Sequence, residues 1–325
     1  IRRPPRSTQS RSSAASDVYK RQIFTRNAML MGSDFEITIV DDDEYNANYL
    51  LDIAIKEISR IEKLISSWDK NSQTFQINLN AGIKPVKVDK ELFNLISRSL
   101  KISGLSQGAF DISYASLDKV WYFDKKMMEI PLEDEIRKSV SKVGFRNIIL
   151  DKENQTVFLK IKGMKIGFGA IGKGYAADKA KFILLKNNVK SGIINASGDL
   201  TAWGKKPSGK DWMVAIVNPL NKSKIFSWLP VENKAVVTSG NYERFINFNG
   251  KLFSHIIDPR TGYPSQGILS VTIFSENAEL ADALATAVYV LGEEIGMNLI
   301  NQLKGIDCII TVSYTHLTLP TIYSV

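Results

Sequence analysis

Four groups of residues have types and spacings that could do chemistry. Gly167, Gly169, Gly172 and Gly174 crowd one short stretch between a strand-like run and a helix-like run. Bare backbone of this kind can approach a diphosphate, and a helix that starts there offers unpaired N–H groups. The first three glycines satisfy the G-x-G-x-x-G dinucleotide pattern, but that pattern wants an acidic residue about 20 positions on. Asp199 comes too late for that role. The stretch therefore reads as a phosphate-side loop outside the Rossmann class, or as a tight connection with no ligand. Asp282 and Thr286 stand four residues apart within the small, apolar run Ala281–Ala287. On a helix they share one face. A carboxylate and a hydroxyl one turn apart make a hard-oxygen pair suited to Mg²⁺; the simpler account is an exposed Asp favoured by the helix dipole. His255 precedes Asp258-Pro-Arg-Thr-Gly262 and is either a general base or a structural histidine. Trp68 lies among Ser66, Ser67 and Asp69, a polar setting that fits a stacking surface better than a core.

These groups need elements to hold them. Phe35–Val40 alternates as a strand, and apolar residues at helical spacing predict a helix over 44–66. A second helix is predicted over 89–103 with Asp89 as its cap. Asn147–Leu150 and Thr156–Ile161 read as paired strands with Asn154 in the turn. Ile171–Asn187 reads as a helix opened by glycines. Gly192–Trp203, Trp212–Asn218, Ala235–Ser239, Lys251–Ile257 and Leu269–Phe274 read as strands. Ala278–Leu291 reads as a helix capped by Asn277 and stopped by Gly292, with a short helix over Gly296–Leu303. Strands and helices come in blocks without strict alternation, so the expected fold class is α+β.

Composition narrows the function. The 325 residues are 44% hydrophobic and 23% charged, as in folded domains. One cysteine, Cys308, excludes an intrachain disulfide and a thiolate metal cage. Two histidines, His255 and His316, exclude a His-rich zinc site. The net charge of +8 is concentrated at the start, and without residues 1–22 there remain 36 basic and 33 acidic residues. No basic stripe or DNA-binding spacing is left, so nucleic acid is not an expected partner. Residues 1–22 and 312–325 show no packing pattern and resemble translated adapter or vector sequence. Residues 23–311 are expected to form a single catalytic domain. No apolar run reaches the roughly 18 residues of a membrane helix.

In chain order, the motifs resemble one family. Met31-Gly-Ser, Ile65-Ser-Ser-Trp68 with Asn78, and Gly108-Ala-Phe-Asp111 come first, followed by Gly169–Asp178 and Asn195-Ala-Ser-Gly-Asp199. Then come Thr238–Arg244, His255–Gly262 and Ala281–Ala287. Singly each is moderately specific; their joint order over about 31–311 resembles the FAD:protein FMN transferases, also called ApbE-like. That resemblance implies an ApbE-like flavin transferase fold, FAD as substrate, Mg²⁺ as cofactor, and transfer of FMN to a Ser or Thr of an acceptor flavoprotein with release of AMP. The acceptors implied are respiratory flavoprotein subunits carrying a Ser/Thr-Gly-Ala-Ser/Thr motif. It also implies a cell-envelope or periplasmic setting, as in a membrane-anchored lipoprotein whose signal is missing here.

Position by position, the resemblance implies metal ligands at Ala170, Asp282 and Thr286. Flavin contacts map to Met31, Trp68, Ala109, Phe110 and Asp111. Lys173 and Ile256 map nearer the phosphates and ribityl chain, and Gly167 opens the loop. His255 is the implied base, with Asp258 the next candidate. Ala285 stands where some members carry a further Asp. The alternatives are an FAD pyrophosphatase using the same site, a non-catalytic flavin-binding protein, and a nicotinamide-dependent oxidoreductase resting on the glycine pattern alone. No cysteine set for an iron–sulfur partner is present, so the flavin reads as cargo.

Overall fold

The computed structural model describes residues 21–123, 127, 129–218, 221–240, 245–248, 251–312 and 317–318. Residues 1–20, Asn241–Arg244 of the sixth motif, and His316 lie outside them. Strands β1 (Gln22–Leu30) and β2 (Ser33–Asp41) form a hairpin that leads into helices α1 (Glu44–Ile65) and α2 (Gln73–Leu79). Short β3 (Val86–Lys87) and helix α3 (Lys90–Leu105) follow, then a 3₁₀ turn at Ile112–Ser116 and α4 (Glu133–Ser139). Strands β4 (Ile148–Asp151) and β5 (Thr156–Leu159) precede α5 (Gly172–Lys186). The remaining strands are β6 (Gly192–Ala196), β7 (Asp199–Trp203), β8 (Trp212–Asn218), β9 (Asn221–Val231), β10 (Ala235–Gly240), β11 (Phe245–Phe248), β12 (Lys251–Ser254) and β13 (Ile268–Ser275). Helices α6 (Ala278–Leu291) and α7 (Glu293–Ile300) and strands β14 (Asp307–Val312) and β15 (Leu317–Thr318) complete the order.

The main sheet has eight antiparallel strands in the order β1-β2-β6-β7-β10-β13-β14-β15. Helices α1, α5 and α6 cover one face. Helix α1 presents Leu50, Leu51, Ala54, Ile58, Ile61 and Ile65 to that core, all buried. Each fully buried aliphatic side chain there contributes about 1.5–3 kcal/mol. The β8–β9 ribbon lies on the other face, packing Trp212, Ile216 and Val231 on Val40, Leu200, Ala202 and Val236. Strand β7 is consequently buried at all five positions. Helices set against an antiparallel sheet make the class α+β, as expected.

Some elements differ from the sequence reading for local reasons. Gly192–Trp203 is two strands, because Ser197 and Gly198 take positive φ values of 53° and 100°. Such a two-residue turn matches the twist of a hairpin. Strand β1 and helix α2 were not anticipated. Asp89 precedes α3 but makes no side-chain cap; its carboxylate takes the amide of Gln73. Asn277 does not cap α6 with its side chain either. The half-buried carboxylate of Asp178, on α5, accepts the N–H groups of Ala278 (3.0 Å) and Glu279 (2.9 Å) instead. In return Asp282, on α6, accepts the Gly174 N–H at 3.2 Å. Each helix thus caps the other.

This exchange requires close approach. A Cβ on Gly174 would stand 2.2 Å from the Ala278 carbonyl oxygen. Gly174→Ala must push the helices apart, and we expect a loss of about 1–3 kcal/mol in urea unfolding. Both capping bonds should weaken together, seen as faster amide exchange at Ala278 and Glu279.

Candidate active site

Two cavities flank the glycine loop. The first, of about 550 Å³, is walled by the Ala109–Asp111 turn, the start of α5, β10, the His255–Ile257 strand end and α6. The second, of about 920 Å³, is walled by the β1–β2 turn, the Ser66–Trp68 loop and the loop before α5. Tyr114, Ala115, Gly169 and Lys173 line both. The two spaces form one trough with a cationic waist.

The expected residues divide between the chambers. Ala109, Phe110, Asp111, Ala170, Lys173, His255, Ile256, Asp282 and Thr286 line the first. Met31, Trp68, Gly167 and again Lys173 line the second. Trp68 is 87% exposed, as a platform awaiting a ring would be. Met31 has a φ of 53°, unusual for a residue with a Cβ, in the two-residue turn before Gly32. That strain is held where the side chain meets the ligand space. The Gln107–Gly108 and Ser197–Gly198 turns also use positive φ at the edge of the first chamber.

Two carboxylates do other work than the sequence implied. Asp111 lines the first chamber, but one of its oxygens accepts the Ser113 N–H and hydroxyl, and the other accepts the Phe145 N–H. Burial still raises its pKa against those three bonds. Asp258 is not brought into the cavity lining. Its carboxylate holds the Arg260 guanidinium at 2.8 Å, and its carbonyl accepts from Thr261 and Gly262, which shapes the turn.

Most glycine-loop N–H groups are also engaged within the protein. Gly167 donates to Ile112, Gly172 to Phe168, Gly169 to the Tyr114 phenol and Gly174 to Asp282. None of these four glycines has a positive φ; they are small because neighbours stand close. Ion pairing adds Asp199, buried at the start of β7, whose carboxylate meets the Lys173 ammonium at 2.6 Å. Burial, then the charge of Asp199, pushes the Asp282 carboxyl well above the ordinary range, with Lys173 and the Gly174 N–H opposing. Thr286 lies one turn on, its hydroxyl 3.5 Å from that of Ser239. Two buried carboxylates and a hydroxyl pair suit a hard cation, and the Lys173 ammonium stands in its place beside Asp199. Among the described residues no cluster of three or more His, Cys, Asp or Glu could hold a metal alone. A cation here would depend on backbone oxygen and on the ligand's own phosphates.

A model of the ApbE family matches residues 31–310. The chain belongs to the ApbE family. It is 31% identical to an FAD:protein FMN transferase of Klebsiella pneumoniae over 290 residues, 89% of each chain. With an enzyme of the same name from Treponema pallidum it shares 33% over 263 residues, 76% of this chain and 73% of the relative. The ApbE protein from Thermotoga maritima superimposes with a TM-score of 0.82 at 29% identity, covering 92% and 97% of the two chains. The apo form of the Pseudomonas stutzeri flavinyl transferase ApbE gives 0.80 at 25% identity, covering 91% and 93%.

In this ApbE family member, sequence reasoning passed over Tyr114, Ser239 and the placement of Asp199. Asp199 was visible in the Asn195–Asp199 motif, yet its pairing with Lys173 needs the sheet to bring β7 to α5. Tyr114 carried no signal, because its position at the waist follows from the 3₁₀ turn. Burial holds its phenol above the ordinary value, with the Gly169 N–H opposing.

Lys173 balances two buried acids, so removing it should destabilise the fold. For Lys173→Met we expect a cost of about 2 kcal/mol, reduced from a fully buried pair by the partial exposure of Lys173. Loss of Lys173 raises the Asp282 carboxyl, already about 8, further, so the part of the cost carried by this group grows as pH rises above about 8 and is level below it. Asp199→Asn in the same chain should recover most of it; urea unfolding at several pH values provides the check.

Proposed function

We infer that this protein is an FAD:protein FMN transferase. One observation carries the reading beyond family membership: two cavities meet at Lys173. FAD has two bulky aromatic ends joined by a doubly charged diphosphate, and the waist is where the two cavities adjoin and an ammonium stands. Trp68 offers an exposed ring in the second chamber for stacking.

In the reaction the acceptor hydroxyl attacks the FMN-side phosphorus. The bond from that phosphorus to the bridging oxygen breaks, and AMP leaves with the oxygen. His255, at the strand end lining the first chamber, takes the hydroxyl proton. Lys173 sits at the waist against the diphosphate charge, and the start of α5 keeps that loop in place. Asp282, Thr286 and the Ala170 carbonyl would hold Mg²⁺, which supplies charge neutralisation for the diphosphate and leaving phosphate. We propose residues 23–311 as one catalytic domain, which the match over 31–310 supports. An acceptor in a respiratory flavoprotein and a cell-envelope setting are further proposals, supported by the family resemblance. No helix among the described residues is long and apolar enough to cross a membrane.

The test is incubation with FAD, Mg²⁺ and a protein bearing Ser/Thr-Gly-Ala-Ser/Thr. Mass spectrometry should find an FMN-sized adduct on Ser or Thr with one AMP released per adduct. AMP and free FMN without an adduct, over several acceptors, would favour hydrolysis. Asp282→Asn should abolish most turnover, with partial rescue by high Mg²⁺; an unchanged Mg²⁺ requirement would remove Asp282 from the ligand set. His255→Ala should cut turnover roughly 10²–10⁴-fold while FAD affinity holds, because a base acts mainly in the transition state.

A further inference from the structure

Tyr114 has a place that neither the motifs nor the reaction account for. It sits on the 3₁₀ turn Ile112–Ser116 and lines both chambers at their junction. Its phenol oxygen accepts the Gly169 N–H at 3.2 Å. Among the described residues the phenol donates to no acceptor, so its proton is available to the trough. The fit is tight: a Cβ on Gly169 would stand 2.4 Å from the phenol oxygen and 3.6 Å from the ring carbon that bears it. Gly169 is therefore glycine to admit this hydroxyl. Lys173 lines the same waist, so a ligand passing through meets an ammonium and a phenol O–H together.

We propose that Tyr114 is a diphosphate-binding, specificity-determining residue. Its O–H, fixed by the Gly169 N–H, donates a hydrogen bond to the diphosphate of the dinucleotide spanning both chambers. The proposal rests on the reading of the trough as an FAD site. A phenol is neutral, so it adds a directed bond at the waist without adding to the charge that Lys173 supplies. A ligand without phosphate leaves that bond unmade, which separates FAD from riboflavin at this position.

The experiment is Tyr114→Phe, titrated with FAD and with riboflavin by flavin fluorescence, without acceptor. Hydrogen bonds to charged groups are the stronger class, so FAD affinity should fall about tenfold or more. Riboflavin affinity should stay within about twofold of wild type. Unchanged FAD affinity would overturn the proposal, as would an equal loss for both flavins, which would mean that the phenol only supports the fold. Wild-type protein that fails to bind FAD would sink the reading of the trough itself, an outcome separable from a defect confined to the variant. A second measurement needs no ligand. Gly169→Ala should lower the melting temperature, and Tyr114→Phe in the same chain should restore it, since the nearest ring atom then lies at ordinary contact distance. A Gly169→Ala protein as stable as wild type would place the phenol elsewhere and overturn the proposal.

Discussion

Where a Cβ on Gly174 would stand, the carbonyl of Ala278 lies 2.2 Å away. That absence of a side chain lets the first turns of α5 and α6 meet. Once they meet, each helix gives a carboxylate from beyond its own first turn to the other's unpaired N–H groups. A helix start carries partial positive charge and orphan donors, and a carboxylate answers both. Burial pushes Asp178 up to about 6 against the two such bonds it accepts. The glycine loop, Asp282 and Lys173 at the waist all lie within about a turn of this one contact.

Dryness also sets the electrostatics. Asp199 and Asp282 are 3% and 4% exposed, and the Lys173 ammonium meets Asp199 at 2.6 Å. Their mutual repulsion and lost hydration raise Asp282. Charge so confined is costly unless a partner arrives, and a substrate phosphate with a divalent cation is such a partner.

The walls of the trough divide the labour differently from the motifs. Asp111 and Asp258 belong to runs that resemble catalytic signatures, yet both spend their carboxylates on neighbouring N–H groups or on Arg260. They fix turns so that Ala109, Phe110, Ile256 and Pro259 face the ligand space. Small and apolar neighbours thus make the contact surface while charged residues hold the backbone that presents them.

The sequence by itself determined the α+β class, the long helices α1, α5 and α6, and the pairing of Asp282 with Thr286. Those rest on periods of two and 3.6 residues and on spacings within one element, which neighbouring residues decide among themselves. It could not separate β6 from β7, because both sheet faces are covered and the polar alternation that marks a strand end is gone. It misread the caps of α3 and α6, since the groups that Asp89 and Asp178 bond lie 16 and 100 residues away. Asp199 beside Lys173, and Tyr114 at the waist, were decided by the tertiary structure alone: sheet order and a 3₁₀ turn bring together residues that no local pattern relates. The glycine loop lies between the two cases. Its residues were legible as a site for close approach, but only the packed chain shows what approaches. For Gly174 that is a helix carbonyl and for Gly169 a phenol.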